Sequence, residues 1–467
     1  MSIPLHRLLG RLLPIPLAAA LLLSIPAVSG AASAGVSGPE NAVSAAVQGA
    51  SRETVADYAR FLKDKFGIAF SGAPTKGEFL AATAAAFRLV REDAEASVAD
   101  GDSIFTDVKA SSSYYEAAIA LYREGVISSG ALNPGAPLTA INAAQIAVKA
   151  SGLKELAYTY PADKANRTLE PFRLSTALLG LRGAQELAAA IDAGLVPADH
   201  YHLIRERSAA TAKYAAVLLG KTLETRGEYK RYIGWVSDDH ILNELLNAYR
   251  ASGIVKAPAL QAIGDRALEE QLVTGYTIRD SRYESNFVDE LTITYAHADI
   301  RHALQLVALL RSEGIDARVQ YEPRTSAFVY LKEWGDPGES EYHEVRQIAN
   351  GNWIEYAKEY ELVFEFRSTA DRDRFDGIIR QYAKMNEADQ PGLIYGSWWQ
   401  PLYYANVRPA GDYRLIANNR LSDGRYYLES FSLIGQTDDI AAAYRTDEPG
   451  ITYASYTFWA NAAFYRI

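Results

Sequence analysis

Hydrophobic residues in the first half of the chain recur every three or four positions, the spacing that places them on one face of a helix. The segment after Ser51 carries Val55, Tyr58 and Leu62 at this spacing, and Gly67 follows its last turn. The pattern therefore predicts an amphipathic helix that Ser51 begins and Gly67 ends.

Three hydroxyl residues precede further alanine-rich segments that the same pattern predicts to be helical. Thr75, Thr139 and Ser208 are 64 and 69 residues apart. A nearly fixed period of this kind predicts repeated units that bury their faces against one another. Thr75 and Glu78 also have the spacing of a capping box, in which the threonine oxygen accepts the amide of the third helical residue.

Alternation of apolar and polar residues replaces the helical spacing in the second half of the chain. It predicts strands at 291–295, 317–321, 327–331 and 360–366, with helices after the first and the last of them. Residues 422–425 have the composition of a hairpin turn. Two β-α-β units in tandem favour an α+β sandwich of the ferredoxin-like kind.

The N-terminal segment has the three parts of a secretion signal. Arg7 and Arg11 begin an apolar run, and the Ala-Ser-Ala sequence at 32–34 provides the small residues of a cleavage site. We predict that residues 1–34 are removed and that residues 35–50, rich in Ala, Gly and Ser, form a spacer. Prolines interrupt the apolar run, so we expect no membrane span after cleavage.

Composition and charge argue against several classes of function. The 467 residues carry a formal net charge of -10 without a basic stripe, which argues against a nucleic-acid surface. The chain contains no cysteine, so it has neither a disulfide nor the thiol of a lipoprotein anchor. Attachment to a surface would then have to be non-covalent.

A run of short motifs fills residues 103–152. In order they are Phe105-Thr106-Asp107-Val108, a helix led by Tyr114-Tyr115 and ending in Ala118-Ile119 with Leu121, Gly125-Val126-Ile127, Asn133-Pro134, and Thr139 at the start of a second helix. This order of motifs resembles an S-layer homology (SLH) repeat. The four residues Thr75-Lys76-Gly77-Glu78 resemble the T-R-A-E motif of the same family, with lysine for arginine and glycine for alanine.

The resemblance implies both an architecture and a site. We predict SLH-like repeats at 51–95, 103–157 and 171–224, forming an all-α pseudo-threefold domain, followed by an α+β domain at 225–467. In this family the basic residue of the motif contacts secondary cell-wall polysaccharide, so Thr75, Lys76 and Glu78 are the expected ligand-binding residues. The implied protein is secreted and held non-covalently at the cell wall or S-layer, with other surface proteins as further partners.

Candidate catalytic and metal-binding residues are few. His200 and His202 have the spacing of a metal pair, but no third ligand is evident. His297 and His302 are expected on different faces of one helix, which excludes an H-E-x-x-H site. Because no nucleophile motif is present either, we expect a non-enzymatic protein without catalytic residues, metal or cofactor.

Acidic pairs and aromatic clusters leave alternatives open. Glu361 with Glu365, or Glu339 with Glu341, could serve as glycosidase carboxylates, although carboxylates at strand spacing more often form a solvated face. The aromatic residues near the C-terminus could stack on sugars or fill a core; they are Tyr395, Trp398, Trp399, Tyr403, Tyr404, Tyr453, Tyr456, Phe458, Trp459, Phe464 and Tyr465. The alternative functions are an envelope glycan hydrolase localised by its repeats, and an assembly protein whose repeats bind no glycan.

Overall fold

The computed structural model describes residues 53–89, 104–338, 340–382, 402–432, 436–444 and 450–461. The predicted signal segment, the spacer, Ser51 and Glu339 lie outside the described residues. All described residues belong to one unit that begins at Glu53.

The first part of the described chain is helical. Its helices, in chain order, are α1 (Val55–Phe66), α2 (Lys76–Ala86), α3 (Tyr115–Arg123), α4 (Ala140–Ala150), α5 (Lys154–Tyr158), α6 (Ala162–Leu169), α7 (Thr176–Asp192) and α8 (Ala212–Arg226). Their apolar faces share one continuous core. We call this part, residues 53–226, the helical region.

Threonine side chains cap four of these helices. Thr54, Thr75, Thr139 and Thr211 each accept the backbone N–H of the third helical residue at 3.1 to 3.2 Å. The cap of α8 is therefore Thr211 and not Ser208, and the caps of α2, α4 and α8 are 64 and 72 residues apart. The cap of α1 is Thr54, three residues after the predicted position.

The segments that precede α2, α4 and α8 are joined to one another by backbone hydrogen bonds. These bonds link residues 74–76 to residues 136–138, residues 138–140 to residues 208–210, and Ala212 to Gly72. Because each segment bonds to both of the others, the three helix openings close into a ring. The ring gives the helical region an approximate threefold arrangement.

Strands dominate the second part of the chain. They are β1 (Gly234–Trp235), β2 (Gly275–Asp280), β3 (Thr292–His297), β4 (Ala317–Tyr330), β5 (His343–Gln347), β6 (Trp353–Phe366), β7 (Leu402–Ala405), β8 (Tyr413–Asp423), β9 (Tyr426–Ser432) and β10 (Ile451–Asn461). The helices between them are α9 (Ile241–Ala251), α10 (Pro258–Glu269), α11 (Ile300–Ser312), α12 (Thr369–Tyr382) and α13 (Thr437–Ala443). No helix among the described residues is long and apolar enough to cross a membrane.

Eight of these strands close into an antiparallel barrel. Their order is β4-β2-β9-β8-β10-β7-β3-β6, and β6 pairs with β4 along 14 residue positions to complete the circle. Strands β1 and β5 add to the outside of β4 and β6. The predicted fold class, an all-α repeat domain followed by an α+β ferredoxin-like domain, is therefore wrong. Strands from the two supposed β-α-β units pair with each other around a barrel.

The two strands predicted at 317–321 and 327–331 are one continuous strand, β4. The Glu-Pro-Arg-Thr-Ser sequence between them resembles a turn, but Pro323 lies within the ladder to β6. On its other side β4 pairs with β1 at residues 318–319 and with β2 at 324–328. Pro323 falls in the gap between these partners, where a missing N–H leaves no ladder bond unmade.

The two faces of the barrel differ in polarity. Residues directly opposite in an antiparallel pair share a face, so the strand registers separate the inward from the outward side chains. Outward residues are mostly apolar and pack under α9, α11 and α12 on one side and under α10 on another. The inward residues of β2, β4, β6, β8 and β9 include many charged side chains, among them Arg279, Arg318, Glu322, Arg324, Glu359, Glu361, Glu365, Arg420 and Glu429.

Close packing between α1 and α8 depends on a glycine. A Cβ at Gly220 would lie 2.7 Å from Cγ of the Tyr58 ring. We expect Gly220→Ala to lower the free energy of unfolding by about 1–3 kcal/mol through overpacking, measured by chemical denaturation. Gly377→Ala in α12, where a Cβ meets nothing within 4 Å, is the matched control and should raise it by up to about 1 kcal/mol. Unchanged or higher stability of Gly220→Ala would contradict the packing.

Candidate functional site

The three residues that the sequence singles out lie together at the first turn of α2. The carboxylate of Glu78 accepts the backbone N–H of Thr75 at 2.7 Å, and Thr75 Oγ1 accepts the backbone N–H of Glu78. The predicted capping box is therefore present. Lys76 is the first helical residue and is half-buried, whereas Glu78 is exposed.

Close packing explains why glycine occupies position 77 in the motif. A Cβ at Gly77 would lie 2.9 Å from the ring of Tyr114 and 2.9 Å from Cβ of Pro134. The alanine of the family motif would not fit at this position unless these neighbours moved. The segment that carries Pro134 is therefore held close against the start of α2, where Gly77 donates its N–H to the Pro134 carbonyl at 2.8 Å.

Charged residues from two other segments act on Lys76. Partial burial and the nearby positive charge of Lys149, at the end of α4, lower the pKa of the Lys76 ammonium, while the negative charge of Asp107 opposes this. Lys149 lies 3.4 Å from the carboxylate of Glu186 on α7. Lys76, Asp107, Lys149 and Glu186 thus interact in sequence through their charges, and we call this set of two lysines and two acidic groups the lysine groove.

Asp107, the aspartate of the Phe-x-Asp-Val motif, has a structural role that the sequence did not assign. Its carboxylate accepts the backbone N–H groups of Leu132 at 2.7 Å and Asn133 at 2.6 Å. These bonds lower the pKa of Asp107 and hold the loop in which Asn133 has a positive φ of 53°. The aspartate therefore fixes the loop that packs on α2.

A second concentration of charge fills the barrel interior. Glu361 on β6 accepts from Arg279 Nη1 at 2.5 Å, from Arg324 Nη1 at 2.7 Å and from the Tyr404 hydroxyl at 2.5 Å. Arg324 also binds Glu359 at 2.7 Å. Since Glu361 and Arg279 are almost fully buried, these pairs offset the large cost of removing their charges from water.

The buried ion pairs continue from β6 and β2 to β9 and β8. Glu429 on β9 lies 3.2 Å from Arg279 Nη2 and 2.7 Å from Arg420 Nη2, and it accepts from the Tyr456 hydroxyl at 2.7 Å. These cations lower the pKa of Glu429 despite its burial. Arg279 therefore joins two buried carboxylates. The charged belt consists of Glu359, Arg324, Glu361, Arg279, Glu429 and Arg420.

Three groups, one in the belt and two beside it, have unused hydrogen-bonding capacity. Among the described residues, Arg279 Nε has no acceptor and Asn418 Oδ1 has no donor, although both atoms are buried. Glu322 accepts the backbone N–H of Ser285 at 2.8 Å and forms no ion pair among the described residues, although the positive charge of Arg279 partly opposes the rise in its pKa. Burial and the negative charge of Glu361 raise the pKa of Glu322 to about 8. The Glu322 carboxyl is therefore protonated at neutral pH.

The helical region contacts the barrel at the end where β4 begins and β6 ends. Arg318 on β4 donates from Nε to Glu53 at 2.9 Å and also pairs with Glu365, and Lys230 lies 3.0 Å from Glu365. The Tyr229 hydroxyl donates to Glu53 at 2.9 Å. These side chains are buried, so the helical region and the barrel are joined by an ionic contact shielded from water.

The prediction that Glu361 and Glu365 belong to a solvated face of a strand is wrong. Glu361 and Glu365 are 1% and 0% exposed and are ion-paired inside the barrel. Glu341 is exposed. Tyr404 faces the interior, whereas Tyr403 lies in the outer core. The clusters at Tyr395 to Trp399 and Phe464 to Tyr465 lie outside the described residues.

The two histidine pairs also differ from expectation. His297 ends β3 and His302 lies on α11, so they do not share a helix, and their ring centroids are 3.7 Å apart. Burial lowers the pKa of His297 to about 3 and that of His302 to about 4. The rings of His200 and His202 lie 6.4 Å apart. In the described part of the chain, no three acidic or histidine side chains are grouped as a metal site would require.

One signal in the sequence could have indicated the interior. β6 carries glutamates at 355, 359, 361 and 365, while β4 carries arginines at 318 and 324, and most of their neighbours in the sequence are apolar or aromatic. Complementary charges on one face of two strands whose other face is apolar indicate a buried polar interior. Only the pairing of β4 with β6 places these charges together.

Comparison with known proteins adds no relative. No protein-family model matches the chain, and no curated protein matches it in sequence. The resemblance to SLH repeats therefore stays a prediction.

Proposed function

We propose that the protein is secreted to the bacterial cell surface, where the helical region binds anionic secondary cell-wall polysaccharide non-covalently and the barrel is displayed outward. The observation that carries this proposal is the half-buried Lys76 at the first turn of α2, where the positive charge of Lys149 acts on the pKa of its ammonium. Other surface proteins are expected partners of the displayed part.

The chemistry of the lysine groove supports an anionic ligand. Two ammonium groups that repel each other in a partly desolvated setting gain from a shared negative charge. The helix N-terminus contributes little, because the amides of Lys76, Gly77 and Glu78 already donate to protein oxygens. Binding in this groove therefore rests on the lysine side chains. Asp107 and Glu186 limit the net positive charge, so we expect modest affinity.

Cosedimentation with purified sacculi tests the proposal. We expect the full chain to bind sacculi that retain their secondary polysaccharide, and Lys76→Ala to bind about tenfold more weakly, since a hydrogen bond to a charged group contributes about 1.5–3 kcal/mol. Added salt should weaken binding of the unaltered protein.

Lys213→Ala is the matched control, because Lys213 is exposed in the first turn of α8 and should leave binding unchanged. Equal binding by the unaltered protein and Lys76→Ala, or binding to sacculi stripped of polysaccharide, would refute an anchor of this kind.

A further inference from the structure

The barrel interior has features of a ligand site beyond its role in stability. Buried polar atoms in proteins are nearly always hydrogen-bonded. Here a guanidinium N–H of Arg279 and an amide oxygen of Asn418 lack partners among the described residues. Asn418 Nδ2 donates to Tyr456, whose hydroxyl donates to Glu429, which in turn contacts Arg279. The two unsatisfied atoms therefore belong to one connected network.

The charges of this network balance. The belt contains three arginines and three glutamates, each paired within it. Glu322 beside it is neutral because burial raises its pKa. Within this network a charged ligand would meet no uncompensated charge and would lose its hydration. The interior therefore favours a neutral ligand.

The unsatisfied atoms specify the polar groups of that ligand. Arg279 Nε offers a donor and Asn418 Oδ1 offers an acceptor. A hydroxyl group can both accept and donate, so a molecule with several hydroxyls can satisfy both atoms. Tyr427 and Tyr456 also line the interior, and aromatic faces suit the apolar faces of sugar rings.

The inner wall of the barrel carries small side chains, and inward-facing residues near the start of β10 are exposed. Several inward-facing residues are small, namely Thr277, Ser326, Ala357, Ser422, Thr452 and Ala454. Thr452 and Ala454 are exposed although they face inward, and the side chain of Arg420 beside them is 31% exposed. An eight-stranded barrel can hold one small ligand. Because β10 runs parallel to β4, these exposed residues lie on the β8 and β10 side of the end at which β4 begins.

We propose that the barrel interior binds one neutral sugar unit, with Arg279 and Asn418 as hydrogen-bonding partners of its hydroxyl groups and entry past Ala454. This site is separate from the lysine groove, and the proposal does not depend on wall anchoring.

Isothermal titration calorimetry of the full chain with glucose and N-acetylglucosamine tests the proposal. We expect at least one of these sugars to bind with a Kd of about 1–10 mM, a range suited to a single small ligand. Glucuronate and glucosamine, their charged analogues, should bind more weakly. Absence of binding by both neutral sugars would show that only water occupies the interior and would overturn the proposal, as would tighter binding of a charged analogue.

Two pairs of variants locate the site. Asn418→Leu removes the amide acceptor and should weaken binding about tenfold, while Asn247→Leu on the exposed surface of α9 should not. Ala454→Trp should block the entrance, whereas Ser455→Trp, exposed on the outward face of the same strand, should not. Since Ala454 is exposed, its substitution tests the site even if Asn418→Leu fails to fold. Sugar binding that survives Ala454→Trp would overturn the assignment to the interior.

Discussion

Replacing Arg318 by methionine is expected to lower the free energy of unfolding by about 3–5 kcal/mol, the cost of leaving buried charges without their partner. Arg318 binds Glu53 of the helical region and Glu365 of the barrel, and all three side chains are at most 3% exposed. Lys230 remains beside Glu365 and Tyr229 remains hydrogen-bonded to Glu53, but the guanidinium that joins the two carboxylates is lost. Chemical denaturation followed by tryptophan fluorescence measures the loss.

The matched control for this substitution is Arg301→Met. The Arg301 side chain is 76% exposed and pairs with Asp299 at the surface, so its loss should change stability by less than about 1 kcal/mol. Because Arg318 joins the helical region to the barrel, we also expect the single unfolding transition to separate into two. A stability of Arg318→Met equal to that of the control would contradict this account of the contact.

Stability should fall as pH rises because of Glu322. Its pKa is about 8 in the folded protein and about 4.5 in the unfolded chain. The unfolded chain therefore releases a proton that the folded protein retains between these values. The stabilising contribution of this group is complete below pH 4.5 and is lost as pH rises through 8. At about 1.4 kcal/mol per pH unit, the loss is about 3–4 kcal/mol between pH 5 and 8.

The variant Glu322→Gln isolates this effect. Glutamine keeps the shape of the neutral acid and can accept the same Ser285 N–H, but it does not titrate. We expect the variant to match the unaltered protein near pH 5 and to be more stable by about 3–4 kcal/mol at pH 8. Urea denaturation at both pH values measures the difference. Parallel pH curves for the two proteins would contradict a buried neutral Glu322.

Two buried histidines are expected to lower the stability at acidic pH. His297 and His302 have pKa values of about 3 and 4, below the ordinary 6.5. Below pH 6.5 the unfolded chain binds protons at these histidines, whereas the folded protein leaves them neutral. The two histidines therefore lower the stability as pH falls from 6.5 towards 4. Because Glu322→Gln retains both histidines, the comparison above cancels their contribution.

Local sequence patterns predicted many elements because local physics decides them. The Thr75 capping box needs only residues within one turn, and the helix after Asp299 follows from its apolar spacing. The hairpin between β8 and β9 has its turn at the predicted Asp-Gly sequence. Errors of a few residues arose where two hydroxyl residues competed for one cap, as at Ser208 and Thr211.

The sequence failed where a contact joins distant residues. Glu361 and Glu365 alternate with apolar residues, and this pattern is the same for a solvated face and for a barrel interior. His297 and His302 are close in sequence, but the end of a strand separates them from a common helix. In each case the missing information was the partner on another element.

By itself, the sequence determined where many helices and their caps and some of the strands lie, because hydrogen bonds and apolar periodicity within a few residues fix them. The tertiary structure decided that β4 and β6 pair along their length and close the barrel. That closure turns two amphipathic strand faces into a buried interior in which arginines and glutamates must neutralise one another. Burial, charge balance and unsatisfied polar atoms follow from this pairing, and they are the properties on which a ligand site in the barrel depends.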